Sequence, residues 1–228
     1  MDGARLWREP TAAARIWNAN WAVLALMTIL AGIGIATLYS VEGGSFQPWA
    51  QNHGLRYLIG MALILLILLV PLATWRQLAY PFYGLALLLV ILVPFAGVEA
   101  LGARRWLELA GLKFQPTEVM KLALVVALAR YYEHVPQERV SELRYLVVPL
   151  LMILVPVAFT LRQPDLGSAI LYAAIGLSLL FLAGLSVVYF AAGGLLTVLA
   201  APLVWSQLHD YQRRRVEVFL NPDVDPLG

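Results

Sequence analysis

The sequence predicts an all-α polytopic membrane protein with about seven transmembrane helices. Hydrophobic residues make up 61% of the 228-residue chain, charged residues make up 13%, and the mean hydropathy is +0.76. An ordinary soluble domain carries roughly 25% charged residues. The apolar residues fall into long runs between charged residues, and a helix needs ~20 apolar residues to cross the ~30 Å hydrocarbon core.

Each apolar run is assigned one span, in the order 20–41, 57–75, 78–95, 117–133, 145–161, 168–185 and 187–208. The fourth run is the weakest because its apolar part, 119–132, is short and contains Lys121. It therefore either extends from Pro116 to Glu133 or is shielded from lipid by neighbouring helices. No linker divides the chain, so we expect a single helical domain over residues 1–228.

Composition also excludes several functions. The 16 Lys and Arg against 14 Asp and Glu leave a net charge of only +2, which does not favour a nucleic-acid partner. The chain has no cysteine and therefore no disulfide or thiolate nucleophile. His53, His134 and His209 are too far apart to form a local metal-ligand motif.

The cations bear on orientation. With seven spans, the loops at 42–56, 97–118 and 209–228 lie opposite the N-terminus. A cytoplasmic N-terminus places seven cations inside (Arg5, Arg8, Arg15, Arg76, Arg130, Arg139, Arg144) and nine outside (Arg56, Arg104, Arg105, Lys113, Lys121, Arg162, Arg213, Arg214, Arg215). This count does not satisfy the positive-inside rule, but the first helix usually dominates. We favour a cytoplasmic N-terminus, with no cleaved signal peptide. An anionic ligand is one reason for cations outside.

Pro116 and Glu118 indicate a helix start, because proline suits the first helical position and a carboxylate suits the positive end of the helix dipole. Lys121 lies one turn further. An intrahelical pair between Glu118 and Lys121, with the lysine reaching the interface, is one interpretation. A functional role for Lys121 is the other, because ionisable groups within a span are functional candidates by default.

Two further segments also allow two interpretations each. Arg104, Arg105 and Trp106 form either an interfacial belt facing bulk lipid or a site in which guanidinium groups hold phosphate oxygens. Asp165 either caps the next helix or helps to hold a metal ion or a substrate hydroxyl. The terminal stretch 209–228 is interpreted as an interfacial segment that runs into a turn.

Four motifs together resemble the SEDS family (shape, elongation, division and sporulation) of membrane glycosyltransferases. The matching segments are GARRWL at 102–107, FQPTEVMK at 114–121, QPDLG at 163–167 and NPDVDPLG at 221–228. The segment HDYQRRRV at 209–216 is more similar to the rod-elongation branch (RodA) than to the division branch (FtsW). Family members have about ten spans, so this chain resembles their first three-fifths.

The resemblance implies polymerisation of lipid II into peptidoglycan glycan strands during elongation and rod-shape maintenance. The family's general-base aspartate corresponds to a position beyond Gly228, so no catalytic residue is expected here and the fragment alone is expected to be inactive. The positions that match the substrate cavity are Arg105, Trp106, Glu118, Lys121 and Asp165. Lys121 and Arg105 would stabilise the departing pyrophosphate, Trp106 would shape the sugar or lipid path, and Asp165 would order the site or a divalent cation, Mg or Mn.

The resemblance further implies the bacterial cytoplasmic (inner) membrane as location. The implied partners are a class B penicillin-binding protein that supplies transpeptidase activity and other elongation-complex membrane proteins. The alternatives are a lipid II flippase, a division-branch polymerase and a non-catalytic scaffold. Cations on one face argue against a flippase, which needs polar sites near the midplane that both sides can reach.

The predicted topology is testable by labelling. Because the chain has no cysteine, single cysteines at Ser45, Glu108 and Asp223 provide clean probes. All three should react with a membrane-impermeant thiol reagent in spheroplasts, because the loops are expected to be extracytoplasmic. Protection of all three would reverse the orientation.

Overall fold

A computed structural model describes residues 10–100, 103–109, 112–163, 165–207, 213–214 and 217–218. The elements in these ranges are α1 Ala12–Trp17, α2 Trp21–Val41, α3 Trp49–Leu69, α4 Leu72–Ala96, β1 Val98–Ala100, β2 Ala103–Leu109, β3 Leu112–Phe114, α5 Pro116–Tyr132, α6 Leu143–Leu161, α7 Leu166–Leu182 and α8 Val187–Gln207, with one 3-10 turn at Gln137–Arg139. Arg5, Arg8 and the terminal motif 221–228 lie outside the described residues.

Four of the described helices, α2, α3, α4 and α6, are long and apolar enough to cross a membrane. Helices α5, α7 and α8 are shorter or less apolar along their described length. In α2, all of which is described, no residue is buried, although the helix is almost entirely apolar. An apolar helix that is not buried by the protein needs apolar surroundings such as a lipid bilayer, which agrees with the predicted membrane fold.

The first compact unit is Met1–Gln77. Within it α2 packs on α3, and the hydroxyl groups of Thr28 and Tyr57 are 2.6 Å apart. The short helix α1 also contacts α3, where the Arg15 guanidinium donates to the Leu69 carbonyl at 2.9 Å. Arg15 thereby caps the C-terminus of α3, the helix end that carries the negative partial charge.

The second unit is Leu78–Gly228, and its core surrounds α5. This helix contacts both α6 and α7 and buries residues on every turn (Pro116, Thr117, Met120, Ala123, Leu124, Ala127, Leu128). Both sequence interpretations of the weak fourth run therefore hold. The helix extends back to Pro116, and neighbouring helices bury one face of it, whereas Glu118 in its first turn stays exposed.

Prolines inside α4 and α6 leave backbone carbonyls without their helical donor. Pro94 has no N–H for the Val90 carbonyl, and Pro156 has none for the Met152 carbonyl. The Gln163 amide donates to Val90 O at 2.6 Å, and the Tyr83 hydroxyl donates to Met152 O at 2.9 Å. Each helix, or the turn that follows it, thus supplies the donor that the other has lost.

Small residues set two further features of this unit. A Cβ at Gly176 in α7 would collide with the Ile153 side chain, so glycine permits the close approach of α7 to α6. Gly184 has a φ of +95° after the end of α7, and the Leu185 N–H bonds to the Leu180 carbonyl at 3.0 Å. This hydrogen bond closes a Schellman motif that ends the helix.

Two predicted boundaries are wrong. The predicted break at Arg76–Gln77 instead lies at Val70–Pro71, between α3 and α4. Val70, the residue before Pro71, has an extended backbone with a ψ of 125°, as residues before proline favour, so α3 ends at Leu69, whereas arginine and glutamine are good helix formers. Helix α3 begins at Trp49, so the polar residues that follow belong to the helix and the predicted loop 42–56 becomes a shorter turn. Whether the chain forms one domain stays a prediction.

Arg213 has a structural role that the charge count did not anticipate. Its guanidinium donates to the carbonyl oxygens of Trp205 and Ser206, at 3.1 and 2.8 Å, at the end of α8. A cation suits this helix end, where carbonyls have no helical partner. An anionic ligand is therefore not required to explain this member of the cationic cluster.

The proline-freed carbonyl of Val90 provides a stability test. Gln163→Leu removes its donor and should destabilise the protein by about 1–3 kcal/mol, the cost of an unpaired buried polar group. Pro94→Ala restores a backbone N–H at the right position, so the double variant should regain stability. Thermal unfolding in detergent measures both effects, with Pro94→Ala alone as the control. A double variant no more stable than Gln163→Leu would contradict this account.

Candidate functional site

The predicted loop at 97–118 contains a three-stranded antiparallel sheet in the order β1-β2-β3. Residues of opposite charge are paired across the strands. Glu99 on β1 pairs with Arg104 on β2, and Glu108 on β2 pairs with Lys113 on β3. Such cross-strand pairs contribute roughly 0.2–1 kcal/mol each. This sheet was not predicted from the sequence, because residues 104–109, Arg-Arg-Trp-Leu-Glu-Leu, do not alternate strictly between polar and apolar side chains.

Arg105 occupies an irregular position in this sheet. Trp106 pairs with Val98 and Arg104 pairs with Glu99, so Arg105 is an extra residue on β2 opposite the Val98–Glu99 step. This is a β-bulge, a feature that redirects a side chain and is frequent beside active sites. The Arg105 Nε atom is buried, and Arg105 and Trp106 are both half-buried. In an unstructured loop both side chains could be fully exposed, whereas here the sheet partly buries each of them.

The sheet is joined to α5, the helix that carries the other predicted cation. Strand β2 contacts α5, and Leu107 on β2 is buried. Helix α5 begins at Pro116, with Glu118 in its first turn, as the sequence predicted. The strand that carries Arg105 and Trp106 therefore packs on the helix that carries Glu118 and Lys121.

Glu118 and Lys121 form the intrahelical ion pair that one sequence interpretation described. Lys121 Nζ lies 2.9 Å from Glu118 Oε1 and 2.8 Å from Oε2. The Lys121 side chain is 21% exposed, whereas the Glu118 side chain is 59% exposed. Because the carboxylate is well solvated, the pair is worth at most about 1 kcal/mol. The pair does not exclude an anion-binding role, because a phosphate can compete with so weak a partner.

Asp165 is the N-cap of α7, which confirms the capping interpretation. Its Oδ1 accepts from the Ser168 backbone N–H at 3.3 Å, and its Oδ2 accepts from the Ser168 hydroxyl at 2.7 Å. The same Oδ2 accepts from the Gln115 amide at 3.1 Å. Asp165 and Ser168 are each only 7% exposed. This buried network connects the start of α7 to the start of α5.

A second contact joins the same two helices. The Tyr172 hydroxyl, on the second turn of α7, donates to the Thr117 carbonyl in the first turn of α5 at 3.0 Å. Tyr172 and Thr117 are both fully buried. Gln115 and Tyr172 were not predicted as site residues, because a polar residue at a helix start or in an apolar run does not reveal a partner 50 or 55 residues away. Ser168 was also not predicted, although its partner Asp165 is only three residues away.

A divalent cation at Asp165 does not fit the surrounding residues. Hard cations such as Mg²⁺ need several oxygen ligands. Among the residues that the structure describes, no group of three His, Cys, Asp or Glu side chains can hold a metal ion. Asp165 is therefore a structural carboxylate in this arrangement.

Comparison with known proteins gives a family and several relatives. The family model FTSW_RODA_SPOVE, described as cell cycle protein, matches residues 14–228. The chain is 32% identical over 227 residues to the probable peptidoglycan glycosyltransferase FtsW of Aeromonas salmonicida, covering 97% of this chain and 57% of that relative. It is 35% identical over 207 residues to the peptidoglycan glycosyltransferase MrdB of Escherichia coli K12, covering 90% and 55%. The chain thus spans little more than half the length of these curated relatives.

Solved structures show the same similarity. One match has a TM-score of 0.79 and 33% identity, and it covers 92% of this chain and 62% of the matched chain. That structure is described as "Structural coordination of polymerization and crosslinking by a peptidoglycan synthase complex". The crystal structure of the rod shape determining protein RodA from Thermus thermophilus matches with a TM-score of 0.68 and 30% identity over 80% and 59%. The helical membrane fold predicted from the sequence is thereby confirmed.

The role of Asp165 is testable by two substitutions. Asp165→Ala removes the cap and leaves Ser168 and Gln115 without their acceptor, so the protein should lose about 1–3 kcal/mol of stability. Asp165→Asn should lose less stability than Asp165→Ala, because its amide oxygen still caps the helix while its NH2 group cannot accept from Ser168 and Gln115. Thermal unfolding is measured with and without Mg²⁺ or Mn²⁺. Metal stabilisation that is lost in Asp165→Asn would show that this carboxylate holds an ion.

Proposed function

The chain belongs to the FtsW/RodA/SpoVE family of cell cycle proteins, and we propose that it forms part of a peptidoglycan glycosyltransferase that polymerises lipid II into glycan strands. The curated relatives named above are peptidoglycan glycosyltransferases. The observation that carries the proposal is Lys121, a largely buried cation at the start of α5 whose only described ion-pair partner is the exposed Glu118. It lies on the helix that β2, the strand of Arg105 and Trp106, contacts.

The chemistry of glycosyl transfer explains why cations are needed there. Breaking the bond between the donor sugar and the pyrophosphate leaves negative charge on the departing lipid pyrophosphate. Lys121 donates to one phosphate oxygen as a compact charge, and Arg105 presents a planar fork of donors to two. Removing one such preorganised donor from an active site typically costs ~3–4 kcal/mol of barrier.

The ion pair with Glu118 is compatible with this role. Lys121 exchanges an exposed carboxylate partner worth at most about 1 kcal/mol for a pyrophosphate that carries more charge. Glu118 then becomes the group that holds Lys121 in position before the lipid arrives. Trp106, half-buried beside Arg105, shapes the path of the sugar or the lipid. The proton acceptor for the attacking hydroxyl is not assigned to any described residue.

The biological setting is also part of the proposal. We place the protein in the rod-elongation branch, in the bacterial inner membrane with a cytoplasmic N-terminus. The segment 209–216 supports that branch, whereas curated relatives carry the names of both branches, FtsW and MrdB. The similarity to a peptidoglycan synthase complex supports a class B penicillin-binding protein as partner. Other elongation-complex membrane proteins and a divalent cation stay predictions of the sequence.

Polymerisation by variants tests the proposal. In a full-length protein that carries these residues, Lys121→Ala and Arg105→Ala should each lower lipid II polymerisation by about 100-fold or more, as expected for a lost preorganised donor. Glycan strands are measured by gel after incubation with lipid II. Arg104→Ala serves as the matched control, because this exposed neighbour faces Glu99 across the sheet.

The outcomes separate the candidate functions. Wild-type polymerisation by Lys121→Met would mean that Lys121 only reaches the interface and pairs with Glu118. Headgroup translocation without strands from the unsubstituted protein would identify a flippase. If the unsubstituted protein shows neither polymerisation nor translocation, the result would identify a non-catalytic scaffold for the cell-wall machinery.

A further inference from the structure

Helix α7 holds the first turn of α5 at two points. The Asp165 carboxylate, at the start of α7, accepts from the Gln115 amide at 3.1 Å, one residue before α5 begins. The Tyr172 hydroxyl, on the second turn of α7, donates to the Thr117 carbonyl at 3.0 Å. The two contacts lie on either side of Pro116, which is itself buried. The start of α5 is therefore fixed from outside the helix.

The start of α5 lacks a cap of its own. Gln115 occupies the N-cap position but makes no side-chain bond to the first turn, because its amide is directed to Asp165. A helix start without a capping side chain leaves several backbone N–H groups unpaired and tends to fray. The two contacts with α7 hold this helix start in place, although neither of them pairs with its backbone N–H groups.

The contact from Tyr172 reaches the backbone carbonyl one helical turn before Lys121. In an α-helix the carbonyl of residue i accepts from the N–H of residue i+4, so the Thr117 carbonyl is the acceptor for the Lys121 N–H. Tyr172 therefore shares its acceptor with the peptide group of Lys121. Because Tyr172 and Thr117 are fully buried, water is not a ready substitute for either partner.

We infer that Tyr172 and Gln115 are positioning residues that hold Lys121 where it meets the anionic part of a lipid pyrophosphate. This inference rests on the proposed function and deepens it. The reacting charge must be stabilised by a donor already in place, and a misplacement of about 1 Å can cost about 100-fold in rate. The hydroxyl of Tyr172 acts through Lys121 and does not touch the substrate.

The test is a pair of matched tyrosine variants. Tyr172→Phe removes the hydroxyl and keeps the ring. Tyr189→Phe removes a similar bond, from Tyr189 to the Ser141 carbonyl at 2.8 Å, near the opposite end of α7. Hydrogen exchange of the Lys121 amide in the full-length protein should become faster in Tyr172→Phe and stay at the wild-type rate in Tyr189→Phe. Gln115→Leu, which also removes one contact, should speed the same exchange.

Activity provides the second measurement. Lipid II polymerisation should fall by about tenfold to a hundredfold in Tyr172→Phe and remain near wild type in Tyr189→Phe. Because Tyr172 acts through Lys121, the Tyr172→Phe/Lys121→Ala double variant should be no slower than Lys121→Ala alone. If Tyr172→Phe lowered activity through a general loss of stability instead, the double variant would be slower than Lys121→Ala alone.

Each contrary result has a distinct meaning. Unchanged exchange at the Lys121 amide in both Tyr172→Phe and Gln115→Leu would overturn the positioning role, whatever the activities are. The same conclusion follows if Lys121→Ala is inactive while Tyr172→Phe matches Tyr189→Phe, or if the double variant loses activity additively. Wild-type polymerisation by Lys121→Ala would remove the proposed role of Lys121 and this inference with it.

Discussion

The structure depends on one constraint, that a polar backbone group surrounded by apolar side chains must find a partner inside the protein. A membrane supplies no water for an unpaired carbonyl, and such a group costs several kcal/mol in hydrocarbon. Prolines inside α4 and α6 free several carbonyls in this way, among them those of Val90 and Met152 in the second unit. Side chains of Gln163 and Tyr83 pair with these two. These contacts explain how helices interrupted by proline remain continuous.

The same constraint shapes the start of α5. That helix is short for a span and carries a lysine, so its position depends on burial among neighbours more than on hydropathy. Asp165, Ser168 and Gln115 form one buried hydrogen-bonded network, and Tyr172 adds a second contact. Buried polar networks that are well satisfied favour a single arrangement. A fixed helix start is also what a preorganised cation requires.

The candidate site therefore combines a rigid support with a weakly paired charge. The bulge places Arg105 on a strand that contacts α5, and Lys121 faces only a solvated carboxylate among its described ion-pair partners. A cation held this way is available to a stronger anion, because little pairing energy is lost when Glu118 is replaced. Structural cations such as Arg213 differ, since they already satisfy helix carbonyls.

The sequence by itself determined the features that depend on neighbouring residues. Apolar runs indicated the helices, and Pro116 marked the start of α5, because hydropathy and the geometry of proline act within one or two turns. The break at Pro71 was also readable by that rule, and the predicted break at Arg76 gave undue weight to charge. Only the tertiary structure decided the partners of Gln163 and Tyr172, which lie 73 and 55 residues away in the chain. Such pairs depend on how helices pack, and a local pattern does not specify which buried carbonyl a distant side chain will meet.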